Sequence, residues 1–121
     1  MVGRLGTHAD VLLTEAVLGA IIESMDSMLL ESSQAGILLG GRVEDDPNGR
    51  YTVITDILGN PPVGVCVASS EGGTEPSAED LAVFKKNIDR GILMKVDVFA
   101  HQFSFYKVGD VLEDATVIFT E

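Results

Sequence analysis

The residues best suited to chemistry fall in one stretch, "VGVCVASSEGGTEPSAEDLAVF", from Val63 to Phe84. It reads as a buried strand, a polar loop and the start of a helix. Ser77 and Asp80 stand three residues apart at that helix start, the spacing of a capping box, in which each side chain takes a backbone N–H of the first turn. Their polarity also suits the helix dipole, and capping alone would account for both. Glu71 and Glu75 in the loop could approach Asp80 and form a carboxylate cluster for a hard cation, although a solvated acidic loop is the plainer reading. Cys66 lies mid-strand among valines, where burial raises a thiol pKa, so it reads as a structural thiol and a nucleophile only in principle. His8 and His101 are the only histidines. His8 precedes the core, His101 sits in "FAHQF" at a turn between strands, and neither has a second histidine at ligand spacing. Strand alternation puts Val65, Val67 and Ser69 on one face and Gly64, Cys66 and Ala68 on the other.

The elements that position these residues follow from periodicity. "DVLLT" is a short apolar run, expected as an edge strand. Thr14 is a plausible N-cap, and Glu15 favours the first turn of a helix. Val17, Leu18, Ile21, Ile22, Met25, Met28 and Leu29 recur at helical spacing over about 15–30. "AGILLGGRV" is a strand whose paired glycines, Gly40 and Gly41, suggest a bulge or close backbone approach. "EDDPNGR" is a turn, since Asn48-Gly49 adopts positive φ easily. "YTVITDIL" then pairs back as a hairpin, and "GNPP" is a tight link. "VGVCVAS" is nearly continuous in apolar residues and is expected to be buried on both faces. The second helix spans "PSAEDLAVFKKNIDRG", with Leu81, Phe84 and Ile88 as its apolar stripe and Gly91 as its C-cap. Three strands, "ILMKVDVF", "FSFYKV" and "ATVIFTE", complete the order β-α-β-β-β-α-β-β-β. The expected class is α/β, a mixed β-sheet flanked by two main helices.

Bulk properties limit what such a chain can do. Its 121 residues form one domain, 1–121, with 1–9 as a loose N-terminal end. Hydrophobic residues make up 45% of it, which suits a globular core. The formal net charge of −11 would repel phosphate backbones, so nucleic acid is not an expected partner. One cysteine allows no internal disulfide and suits a reducing compartment. No apolar signal core opens the chain, and no run approaches a membrane span. A cytoplasmic protein without a membrane partner is expected.

The sequence resembles the JAMM/MPN (Mov34/PAD-1, JAB) family, whose fold is that of zinc isopeptidases. The resemblance runs from about Val11 to the C-terminus. It is carried by "QAGILLGGRV", "YTVITDIL", the strand entering "PSAEDLAVF", "FSFYKVGDVL" and the order of elements. It implies a cytidine-deaminase-like layering. The family's pattern is a strand glutamate, then His-Ser/Thr-His-Pro, then a serine and an aspartate at the second helix start. Ser77 and Asp80 match the last pair. The histidine positions fall on Val67 and Ser69, with Ala68 between, the proline position on Ser70, and the glutamate position on Gln34.

Chemistry gives those departures their meaning. A catalytic zinc ion takes three protein ligands and keeps one position for water. Val67 has no lone pair, a neutral serine hydroxyl is a poor ligand, and the amide of Gln34 cannot act as a base near neutral pH. Gln34, Val67, Ser69, Ser77 and Asp80 are therefore expected to outline a vestigial site with no catalytic residue, metal or cofactor, in a drier, filled pocket floored by Val67. The expected function is that of a non-catalytic interaction or scaffold module, whose partner is a second copy in a homodimer or another MPN domain. Met25 and Met28 could serve that contact, although helix methionines also fill cores. The alternative is a repurposed pocket around Ser69, Ser70, Ser77 and Asp80 that binds a small ligand or catalyses another reaction. A zinc isopeptidase with unusual ligands ranks last. An open polar cavity at the site would favour the alternative, and a side-chain-filled one the module.

Overall fold

Thr14 ends one element and begins the next. In the computed structural model, which describes residues 10–47, 49–58 and 62–120, strand β1 (Val11–Thr14) runs directly into helix α1 (Glu15–Leu29). Thr14 keeps an extended backbone, and its hydroxyl accepts from the Val17 N–H at 3.2 Å, which satisfies one of the helix's free donors. Then follow β2 (Gln34–Asp46), β3 (Gly49–Ile57), β4 (Pro62–Ser69), α2 (Ala78–Asn87), β5 (Gly91–Asp97), β6 (Gln102–Val108), β7 (Leu112–Ala115) and β8 (Val117–Thr120). The loose end at 1–9 with His8, the turn residue Asn48, and residues 59–61 of the link lie outside the described residues.

All eight strands join one sheet in the order β7-β6-β5-β4-β2-β3-β1-β8. β1 pairs with β3 and β8, so it is an inner strand and not the expected edge. β7 and β8 lie at opposite ends of that order, yet only Thr116 separates them in the chain. The sheet must therefore curl until its two ends meet. Asp10 fastens the seam. Its N–H donates to the Thr116 carbonyl at 2.8 Å, its carboxylate accepts from the Thr116 N–H at 2.9 Å, and Lys107 of β6 lies 3.3 Å from the other carboxylate oxygen. On the inner face Phe119 of β8 meets Phe103 of β6 edge to face, with ring centroids 5.3 Å apart.

These facts correct the expected α/β layering. The chain is mostly β, a nearly closed, barrel-like sheet with two helices of 15 and 10 residues, and not a sheet flanked by two main helices in the cytidine-deaminase-like manner. Expecting "ATVIFTE" as the one strand after β6 left residues 112–114 unassigned and hid the closure, because Leu112–Ala115 pairs with β6 while Val117–Thr120 pairs with β1. α1 fills the inside of the curl. Ile21 and Met25 are fully buried there with Leu13, Leu39, Cys66 and Met94. α2 packs on the outside, where Phe84 joins Val65, Val67, Leu93 and Tyr106. β4 thus separates two cores and is buried on both faces from Val65 to Ala68. α2 stops at Asn87 with Ile88 as its C-cap, so Gly91 is not the cap; it opens β5 at φ +151°, close against the Val63 carbonyl. Among the described residues no helix is long and apolar enough to cross a membrane.

The paired glycines mark a bulge, as their sequence suggests. The register of β2 shifts at Leu39/Gly40 against β4 and at Gly40/Gly41 against β3. A Cβ on Gly41 would collide with the Val53 carbonyl oxygen and lie 2.9 Å from its carbon. Gly41→Ala is expected to destabilise the fold by at least about 1–3 kcal/mol, read as a lower midpoint in urea unfolding with an unchanged slope.

Candidate functional site

Three strands and a helix bring the site together on the outer face. Register places Gln34 beside Ser69, Gly36 beside Val67, and Val67 beside Lys95. Alternation aims Gln34, Val67, Ser69 and Lys95 to the same side, under α2. Gly36 leaves room for the helix, since a Cβ there would stand 2.7 Å from a Val83 methyl. α2 begins with the expected capping box. Asp80 N–H donates to the Ser77 hydroxyl at 3.1 Å, and Ser77 N–H donates to the Asp80 carboxylate at 2.8 Å.

Asp80 does more than cap. Its side chain is fully buried and accepts three hydrogen bonds. Gln34 Nε2 donates to Oδ1 at 2.8 Å, while Ser77 N–H and Lys95 Nζ donate to Oδ2, the ammonium at 2.6 Å. Burial alone would push this carboxyl up, but the bonds from Lys95, Ser77 and Gln34 outweigh it and hold Asp80 below the usual carboxylate range. Lys95 is 1% exposed, so the two form a buried, hydrogen-bonded ion pair.

Lys95 is the residue of this candidate site that sequence reasoning missed. The signal was present. "ILMKVDVF" carries one cation inside an apolar strand, and a lysine buried there needs a counter-charge. Alternation with Leu93 and Asp97 would have aimed it at the face of Val67.

The remaining candidates divide cleanly. Val67 is fully buried among Val65, Phe84, Leu93 and Tyr106, so the apolar floor exists. Beside it the site is not dry. A cavity of about 280 Å³ lies over Lys95, lined by Ser33, Gln34, Ser69, Ser70 and Ser77 with Glu71, Glu75 and Glu79. The expected filled pocket is thus corrected to an apolar filling at Val67 beside an open polar chamber over Lys95. Glu71 and Glu75 are exposed at that chamber, while both Asp80 oxygens are already engaged below. Among the described residues no group of three or more His, Cys, Asp or Glu side chains could hold a metal ion. Cys66 faces the α1 core, away from this site, and burial pushes its thiol well up. His101 is exposed in the turn before β6 with φ +56°.

The loop over the chamber is tied down at several points. Ser70 N–H donates to the Ser33 carbonyl at 3.0 Å, and the Tyr106 hydroxyl donates to the Thr74 carbonyl at 2.6 Å. Gly73 N–H donates to Asp97 at 2.8 Å, and Asp97 also caps the next turn through the N–H groups of Phe99 and Ala100. Gly72 and Gly73, at φ +76° and +92°, supply the left-handed backbone that this path needs.

Removing either buried charge strands the other. Asp80→Ala therefore costs more than the roughly 1 kcal/mol of a lost cap. Asp80→Ala or Lys95→Met alone is expected to destabilise by about 3–5 kcal/mol, whereas Lys95→Met combined with Asp80→Leu recovers most of it, measured by denaturant unfolding. The pH dependence has a defined sign. Asp80's folded pKa is depressed below its ordinary 3.8, so its stabilisation is present above that value and is lost as pH falls toward the folded pKa. Thermal melts are expected to show an acid-side fall below about pH 4 that is reduced in Asp80→Asn, since that change removes the titrating group.

No protein-family profile and no curated protein matches the sequence. Solved structures do match its shape. The solution structure of protein DSY2949 from Desulfitobacterium hafniense is similar at a TM-score of 0.66 and 16% identity, over 92% of this chain and 93% of that one. A structure described as JAMM, a metalloprotease-like zinc site in the proteasome and signalosome, is similar at a TM-score of 0.57 and 18% identity, over 93% of this chain and 99% of that one. At such identities the likeness is one of fold, and the chain's fold is JAMM/MPN-like.

Proposed function

We propose that this chain is a metal-independent, non-catalytic domain on a JAMM-like fold that works by binding a protein partner. One observation carries the first part: the Lys95 ammonium sits 2.6 Å from Asp80 Oδ2, with both side chains buried. Asp80 is the surviving ligand position implied by the resemblance. A zinc ion there would compete with a positive charge already on the carboxylate. It would also find the alkyl group of Val67 and the neutral hydroxyl of Ser69 where nitrogen donors are needed. The residues present do not fit zinc. Gln34, at the base position, donates to Asp80 and takes no proton from water.

The binding part of the proposal draws on the opposite side of the fold. A largely apolar groove of about 500 Å³ lies between α1 and strands β2 and β3, where Ala20, Met28, Ile37, Ile57 and Leu58 are joined by Glu23, Ser24 and Ser27. Met28 is 37% and Leu58 72% exposed, which leaves apolar surface for a second copy of the chain or another MPN domain to cover. Met25 is excluded from that surface because it is fully buried in the core. A second reading, the repurposed small-ligand pocket, is favoured by the polar chamber over Lys95.

Metal content separates this proposal from a zinc enzyme. The purified protein, soaked in zinc and desalted, is expected to retain almost none by mass spectrometry, and a chelator is expected to leave its melting temperature unchanged. Stoichiometric zinc that disappears in Asp80→Ala would overturn the proposal.

A further inference from the structure

The chamber over Lys95 has two electrostatic ends. At its floor the buried ammonium carries three N–H donors, and Asp80 Oδ2 is its one hydrogen-bond partner among the described residues. Two donors remain for whatever fills the chamber, and a buried donor left unmet is costly. Ser69, Ser70 and Ser77 add hydroxyl groups beside it. The N-terminal end of α2 borders the chamber as well, its first turn already closed by the Ser77–Asp80 capping box. The floor thus offers hydrogen-bond donors to an acceptor such as a carboxylate, while the Lys95 charge itself is already balanced by Asp80.

The rim has the opposite character. Glu71, Glu75 and Glu79 are exposed around the mouth, and no lysine or arginine of the described residues pairs with them. A simple anion would have to pass these three carboxylates and the field of a chain with net charge −11. A simple amine would satisfy the rim and leave the Lys95 donors unmet. A molecule with both charges answers both ends. At about 280 Å³ the chamber lies just below the roughly 300–1,000 Å³ of drug-sized pockets, which suits a ligand the size of one small amino acid.

We propose that this chamber binds a small amino-acid-like zwitterion, with its carboxylate on Lys95 Nζ and its ammonium against Glu71 and Glu75. Binding leaves the Lys95–Asp80 pair in place and uses the donors that the pair does not. The inference rests on Lys95, and not a metal ion, occupying Asp80.

The test is an amide NMR titration of the full chain in chelator-containing buffer, with glycine, L-alanine, acetate and methylammonium as separate probes. Glycine or alanine is expected to produce saturable shifts at Ser69, Ser70, Gly72 and Lys95, with acetate and methylammonium each weaker by about tenfold or more. Glu71→Gln with Glu75→Gln changes only exposed side chains, so the fold is retained, and glycine binding is expected to weaken by about tenfold while acetate binding does not. The proposal fails if glycine gives no saturable shift, if acetate alone reproduces its effect, or if the rim variant binds glycine unchanged. Glycine binding that appears only when zinc is restored would overturn the metal-independent reading as well, whereas absence of binding in a protein shown to hold no zinc overturns the zwitterion alone.

Discussion

A lysine ammonium cannot remain charged inside an apolar layer without a counter-charge, and around Lys95 the outer half of this fold is organised by that requirement. Its partner Asp80 must be delivered at the right depth, which fixes where α2 begins and how closely it approaches the sheet. Ser77 locks the first turn of the helix through the capping box, and Gly36 clears the space beneath it. Gln34 then satisfies the second carboxylate oxygen from β2. One network thus joins β2, α2 and β5 across sequence separations of 46 and 15 residues. Apolar side chains of similar volume could have been at least as stable here. The pair instead provides a polar floor that opens on a chamber.

The inner half obeys a different constraint. A sheet whose first and last strands are separated by one residue must curl, and curling creates an enclosed apolar interior that α1 fills. Asp10 serves both ends of that seam by pairing its backbone and its carboxylate with Thr116 and by reaching Lys107. Because β4 faces both interiors, its side chains from Val65 to Ala68 are apolar or thiol on both faces, and polarity returns only at Ser69, the last residue of the strand.

Local signals in the sequence were faithful where the physics is local. The caps at Thr14 and Ser77, the bulge at Gly40–Gly41 and the two-sided burial of β4 are all legible because each depends on neighbours along the chain. Closure was not legible. Whether "LEDA" forms a strand at all, and whether it and "VIFT" bridge two ends of a sheet, depends on partners 106 residues away, as the Asp10–Thr116 contact illustrates. The site was half legible for the same reason. Ser77 and Asp80 could be read as a pair at helical spacing, and the resemblance pointed to Gln34, Val67 and Ser69. The cation that joins them came from a strand read only for its hydrophobicity.

An internal cation at the position where the resemblance would place a metal ion joins the two proposed readings of this protein. On the proposed reading, the Lys95–Asp80 pair leaves no place for a metal ion and the polar chamber above it serves recognition. Diffraction from zinc-soaked crystals at the zinc absorption edge tests that claim most directly. The expected map has no anomalous peak at Asp80 and shows Lys95 Nζ within hydrogen-bond distance of Oδ2. A peak about 2.0–2.2 Å from an Asp80 oxygen, with the Lys95 side chain displaced, would contradict it.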